Sequence, residues 1–387
     1  MGKETSNNKI ERVVIKVGSA VVTGVKGSVR GKDCGERCDI FSKLATEISA
    51  LMKAGTKCVL VSSGAIAMGM EKLGMKERPS TIPGRQAVAA VGQSRLMARY
   101  DEAFSKTGVN VAQLLITHDD MGDRKRFLNA RNTLTELLGR GILPIINEND
   151  TVAVEEIKYG DNDKIAALVA NLVGADRLVI LSDIDGVFDK DPKVNRDAKR
   201  IEVISDIDAF ELAEKSATTS AAGSGGISSK ITAAKIAAHH GCETVITSGF
   251  DLDTLEQSAT AAGSIAVSSV GTFVKVKEGY LSSKEHWIKY STRPTGKVVI
   301  DDGAKNALLL NGKSLLPSGV VSVGGTFDSG DVIHCVDASG MEFARGVVNY
   351  SSVEIEKIKG LKTSEIEKAL GYKVSDEVIH RDDMVVL

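Results

Sequence analysis

Lys16 stands inside a short apolar run, RVVIKV, and is followed at once by Gly18 and Ser19. An ammonium group buried without a counter-charge is costly. Two readings are therefore open: a stem lying along apolar surface with its head in water, or an ammonium that meets an anion. Further on, VLVSSGA sets Ser63 and Gly64 at a small-residue turn into a helical stretch. N–H groups and the helix dipole favour an anion there, although any tight turn after a strand uses glycine and serine. The run ILPII leads into Asn147-Glu148-Asn149-Asp150-Thr151, a dense set of hydrogen-bonding groups suited to recognising a small polar molecule. Gly160-Asp161-Asn162-Asp163-Lys164 then opens a helix. One of these residues suffices as a cap, which leaves the others available. Ser182-Asp183-Ile184-Asp185-Gly186 starts like a calcium loop, but Val187 stands where an oxygen ligand is needed. Last comes Gly223-Ser224-Gly225-Gly226-Ile227-Ser228-Ser229-Lys230, a glycine-rich loop whose lysine opens a helix. It departs from the P-loop pattern, yet its glycines, helix N-terminus and lysine suit phosphate oxygens in the same way.

Two lysines, two glycine turns and two Asp/Asn clusters are equipment for phosphoryl transfer without a covalent intermediate. That chemistry consists mainly of positioning and of offsetting charge on the moving phosphoryl group.

The elements that must position these residues follow a β-α-β order from about residue 12 to 275. Short β-branched runs alternate with longer amphipathic stretches, among them helices expected near Phe127, over Asp161–Val173 and over 227–240. Strands that read as nearly continuous apolar runs are buried on both faces, which predicts a mainly parallel sheet covered by helices on each side. Ligands in such folds bind at the carboxyl ends of the strands, and each polar cluster above follows a strand. After residue 275 the texture changes to short strand-like pieces separated by glycines, with short helices expected at 351–359 and 363–370.

The totals narrow the classes of function. With 387 residues, 42% of them hydrophobic and 26% charged, the chain is large enough for two globular domains. A net charge of −2 provides no overall field toward nucleic acid or an anionic membrane. No run approaches the length of a membrane span, the polar start MGKETSNNKIER lacks a signal core, and a cytoplasmic protein is expected. Five scattered cysteines fit a reducing compartment, and Cys34 with Cys38 lack the further ligands of a thiolate metal site. No metal-ligating residues are therefore assigned.

The segments KVGSAVVTG, VSSGAIAMG, FLNARNTL, INENDTVAVEEIKYGDND, LSDIDGVFDKDP and SGGISSK resemble the glutamate 5-kinases of the amino acid kinase family. The resemblance runs collinearly over about 12–249, and 294–372 is similar to the PUA domain that many of those enzymes carry. It implies a three-layer αβα sandwich plus a small β-rich PUA-like barrel. The implied division is a kinase domain at 1–275, a linker at 276–292, a PUA-like domain at 293–376 and a tail at 377–387. The implied activity is ATP-dependent phosphorylation of the glutamate side-chain carboxylate, the first step of proline biosynthesis. Carried over by position, Ser63, Asp150 and Asn162 would hold glutamate. Lys16, Gly18, Ser19, Ser182, Asp183 and the stretch Gly225, Gly226, Ile227, Ser228, Ser229, Lys230 would hold ATP. Lys16 and Lys230 would flank the transferred group, with Asp163 orienting them and Asn147 assisting. Ser182 and SGGISSK stand where Thr and TGGMSTK are frequent, and both changes keep a hydroxyl. The resemblance also implies magnesium, a homodimer or homotetramer, feedback inhibition by proline and a functional association with glutamate-5-semialdehyde dehydrogenase. RNA binding through the PUA-like part is not expected, because 293–376 carries 10 Lys/Arg against 11 Asp/Glu.

Overall fold

The structure is a computed structural model and describes residues 10–24, 39–153, 161–192, 194–195, 197–210, 226–261, 267, 269–277 and 279–387. Cys34, Cys38, Gly160 and Gly223 to Gly225 lie outside the described residues. Two compact units divide the chain, Met1–Tyr280 and Leu281–Leu387.

In the first unit the elements run β1 (Arg12–Val17), α1 (Ser19–Val22), α2 (Ile40–Lys53), β2 (Lys57–Ser62), α3 (Ala65–Leu73) and α4 (Ile82–Ser105). Then come β3 (Val111–Ile116), α5 (His118–Gly122), α6 (Arg124–Gly139), β4 (Leu143–Glu148), α7 (Asp161–Val173) and β5 (Arg177–Ser182). The unit closes with β6 (Val203–Ile204), α8 (Ile227–Ala238), β7 (Glu243–Ser248), α9 (Leu255–Thr260) and β8 (Gly271–Val274). Among the described residues the strands form an eight-stranded sheet in the order β3-β4-β2-β1-β5-β7-β8-β6. Neighbours from β3 to β7 are parallel, and β8 reverses direction against β7. Lys16 of β1 is in register with Val61 of β2 on one side and Ile180 of β5 on the other. The chain thus leaves β1 in both directions, which opens a crevice at the carboxyl end of β1.

Every residue of β5 is buried, as are five of the six in β1, β2 and β4, which is why these strands read as continuous apolar runs. β3 departs from the expectation of burial on both faces. It ends the sheet, so most of its side chains are only partly covered and Leu115 is exposed. α2 holds to the sheet by an apolar face, Phe41, Leu44, Ala45, Ile48 and Leu51, which joins Tyr100 and Phe104 of α4 in one core. At about 1.5–3 kcal/mol for each large side chain buried, this face outweighs the propensity differences along the helix. α7 is buried through Ile165-Ala166-Ala167-Leu168-Val169-Ala170 because it lies among β1, α6 and α8. α3 and α4 approach so closely that a Cβ on Gly92 would stand 1.7 Å from the carbonyl oxygen of Ala65.

The second unit holds β9 (Gly296–Ile300), β10 (Val320–Gly325), β11 (Val332–Val336), β12 (Glu342–Val347) and β13 (Met384–Val386). They form a mixed sheet in the order β10-β9-β11-β12-β13, with β9 and β11 parallel. Its helices include Asp302–Asn311, Ser352–Ile358 and Ile366–Leu370. Two stretches differ from their reading as linker and tail. Within 276–292, Ser283–His286 and Trp287–Ser291 are helical, with Trp287 and Ile288 buried. Within 377–387, β13 pairs with β12, and Val378, Ile379 and Met384 join the core of Val298, Ile333 and Tyr350. Both carry apolar side chains that are stable only when covered.

Candidate active site

Two side chains from distant parts of the sequence meet at the crevice. Lys16, at the end of β1, places Nζ 2.6 Å from Oδ1 of Asp163. Lys230, in the first turn of α8, places Nζ 3.6 Å from Oδ2 of the same carboxylate. All three are buried, with Asp163 only 1% exposed, so the reading of Lys16 as a stem with its head in water does not hold. The Ser229 hydroxyl adds a 2.6 Å hydrogen bond to Oδ2 of Asp163. Burial pushes the Asp163 carboxyl up, but Lys16, Lys230 and these hydrogen bonds more than offset it, and its pKa falls to about 2. Burial lowers the pKa of Lys230, against the pull of Asp163 and Asp183.

Gly18 lies two residues after Lys16, and Gly226 stands at the N-terminus of the helix that carries Lys230. A Cβ on Gly18 would stand 3.5 Å from the Leu181 carbonyl oxygen and 3.8 Å from Lys16 Nζ, so the glycine keeps the backbone beside that ammonium without adding a side chain. Gly226 caps α8 without any side-chain hydrogen bond, and a Cβ there would meet nothing within 4 Å. Amide groups at such a helix end suit an anion. Ile227 is half-buried and Ser228 exposed beside it, while Ser19 opens α1 next to Gly18. Ser182, at the end of β5, is buried and donates a 3.1 Å hydrogen bond to Oδ1 of half-buried Asp183.

On the other side of Asp163 lies a network of amides. Asn162 does not cap α7, which begins at Asp161. Its Nδ2 donates instead to Ser63 Oγ at 2.9 Å and to Asn147 Oδ1 at 3.1 Å. Asn162 Oδ1 is buried and accepts no hydrogen bond among the described residues. Ser63 is held by the turn after β2, where Gly64 adopts φ +105°, a conformation that favours glycine, and starts α3. Asp150 lies in the loop after β4; burial raises its carboxyl, with Arg78 acting in the opposite sense. Of the sequence-predicted residues, Lys16, Lys230 and Ser229 meet on Asp163, and Ser63, Asn147 and Asn162 join by hydrogen bonds in an amide-lined recess.

Gln93 of α4 was not singled out from sequence, yet its Oε1 accepts a 2.7 Å hydrogen bond from Asn147 Nδ2. Nothing local marks it, because a glutamine in mid-helix reads as a solvated residue. Among the described residues no group of three His, Cys, Asp or Glu side chains is arranged to hold a metal ion.

Comparison with known proteins gives this site its context. The family model described as the amino acid kinase family matches residues 11–248, and the PUA domain model matches 296–370. The chain is 47% identical over 378 residues to the glutamate 5-kinase of Caldanaerobacter subterraneus subsp. tengcongensis, covering 97% of this chain and 98% of that one. It is 45% identical to that of Pelobacter propionicus, covering 98% of each chain. The chain belongs to the amino acid kinase family and, within it, to the glutamate 5-kinases that carry a PUA domain.

Proposed function

We propose that this chain transfers the γ-phosphoryl group of ATP to the side-chain carboxylate of L-glutamate, forming L-glutamyl 5-phosphate in the first step of proline biosynthesis. The observation that carries the reading is the sharing of Asp163 by Lys16 and Lys230. A buried ion cluster contributes little net stability, so its presence at the carboxyl end of β1 is better explained by chemistry.

A glutamate side chain, with an unperturbed pKa of about 4.3, is already an anionic nucleophile at neutral pH and needs no general base. The obstacle is repulsion between that carboxylate and the polyphosphate. Lys16 and Lys230 offset the charge that spreads over the moving phosphoryl group, and Asp163 holds both in place before substrate arrives. Lys16, Gly18, Ser19, Ser182, Asp183 and Gly225 to Lys230 bind the nucleotide. The N-terminus of α8 supplies amide groups to its phosphates. In the recess, Asn162 Oδ1 and the Asp150 carboxylate receive the α-ammonium of glutamate. The Ser63 hydroxyl, whose oxygen already accepts from Asn162, donates to a substrate carboxylate. Asn147 assists by holding Asn162. Magnesium enters as the MgATP complex: Asp163 is occupied by two lysines and a hydroxyl, and such ions are held largely by phosphate oxygens.

Kinship supports further parts of the reading: a cytoplasmic homodimer or homotetramer, and a functional association with glutamate-5-semialdehyde dehydrogenase, which suits a reactive acyl phosphate product. Proline, which presents an ammonium and a carboxylate as glutamate does, inhibits at a site overlapping the recess.

Hydroxylamine trapping of acyl phosphate across a panel of carboxylic and phosphate acceptors tests the activity. Glutamate should give the largest signal, and Lys230→Ala should lower it roughly a hundredfold, the scale of losing one preorganised electrostatic donor. A better acceptor elsewhere in the panel would overturn the substrate, and an unchanged rate in Lys230→Ala would remove that residue from the mechanism.

A further inference from the structure

We infer that Gln93 is a positioning residue that anchors the amide relay in the direction the backbone selects and thereby supports the affinity for glutamate, an inference that rests on the proposed glutamate kinase activity. The relay has a fixed starting point. The backbone N–H of Glu148 can only donate, and it donates to Asn147 Oδ1 at 2.9 Å. Asn147 must therefore turn Nδ2 the other way, toward Gln93 Oε1 at 2.7 Å. A reversed glutamine would set two amide donors against each other. With Asn147 Oδ1 held, Asn162 must direct Nδ2 at it and at Ser63 Oγ, over 3.1 and 2.9 Å. What remains is Asn162 Oδ1, a buried acceptor without a partner among the described residues. It is the atom that suits an ammonium group. Gln93 therefore supports, through two asparagines and without touching substrate, the orientation that the Glu148 N–H selects and that leaves an acceptor in the recess.

Gln93 is reachable by mutation with little risk to the fold, since it is half-buried on α4 and a methionine has nearly its shape. The holoenzyme variants Gln93→Met, which removes the acceptor, and Gln93→Glu, which keeps it, separate the relay from simple packing. In Gln93→Met, KM for glutamate should rise about tenfold, the scale of one buried hydrogen bond, while kcat and KM for ATP stay within about threefold. Gln93→Glu should return KM for glutamate to within about threefold of the parent. Glutarate, which keeps both carboxylates and lacks the ammonium, should inhibit parent and Gln93→Met about equally. A glutamate KM unchanged in Gln93→Met overturns the inference, as does a Gln93→Glu protein impaired as much as Gln93→Met. An equal loss of glutarate and glutamate affinity also overturns it, because that pattern marks a general distortion of the recess. Should Gln93→Met not fold, Gln93→Leu is held to the same criteria. A parent enzyme that does not phosphorylate glutamate refutes the activity itself, whereas an active parent with an indifferent Gln93 refutes the relay alone.

Discussion

Asp163 has almost no access to water, and burial by itself would raise its pKa. Two ammonium groups and a hydroxyl on its oxygens reverse the direction, and the carboxyl titrates near 2. A carboxyl lowered on folding stabilises the native state above its unfolded pKa of about 3.9, and that contribution is lost as pH falls toward 2. Lys230 is pushed the other way, its ammonium form disfavoured first by burial and then by Lys16, against the attraction of Asp163 and Asp183. It should therefore lose its proton below the ordinary lysine value of about 10.4. The profile of kcat/KM for ATP, which reports the free enzyme, should fall on the alkaline side earlier than for an ordinary lysine. Lys230→Arg, which does not titrate in this range, should remove that limb. A limb that persists in Lys230→Arg would belong to another group.

At the scale of elements, the site depends on how tightly α3 and α4 pack beside the sheet. Gly64 takes φ +105° to turn from β2 into α3, and Gly69 lets α3 approach Val88 of α4. Gly92 faces the Ala65 carbonyl, and the next residue of α4 is Gln93. Gly92→Ala would set a methyl 1.7 Å from that oxygen, so α4 has to move. Overpacking costs typically about 1–3 kcal/mol, and a contact this short belongs at the upper end. The variant should show a lower denaturation midpoint together with a higher KM for glutamate, and KM for ATP should change less because α4 contributes nothing proposed to touch nucleotide. A parent-like midpoint would show that the two helices yield more easily than their contact implies. The βα turns at strand ends were legible in sequence, since glycine and serine after an apolar run mark them. The α3–α4 contact was not, because a glycine within a helical stretch has the same local signature whether it faces a neighbour or solvent.

For the whole molecule, each unit has an apolar core of its own among the described residues. The cluster around Leu44, Ile48, Leu60 and Tyr100 draws only on the first unit, and that around Val298, Ile333, Tyr350 and Ile379 only on the second. A fragment of residues 281–387 includes β13 and Trp287 and holds a complete core of its own. It should therefore unfold in a single cooperative transition by circular dichroism. Ending the fragment at 376 removes β13 and the core residues Val378, Ile379 and Met384, and that shorter piece should be much less stable. Equal stability of the two fragments would mean that the last strand contributes little.

The amino-acid sequence by itself determined the β-α-β order, the mainly parallel sheet, and the stations of Lys16, Ser63 and Asn147 at its strand ends and of Asp163 and Lys230 in the first turns of helices. Those features are written in the pattern of neighbouring residues, through side-chain periodicity and turn chemistry. The family resemblance already implied that Asp163 orients Lys16 and Lys230, and the tertiary structure supplied the contacts; it alone decided that Asn162 turns to Ser63 instead of capping α7 and that Gln93 closes the amide relay. These contacts join residues far apart in the chain, and their partners follow from strand order and helix approach, which no local pattern of residues specifies.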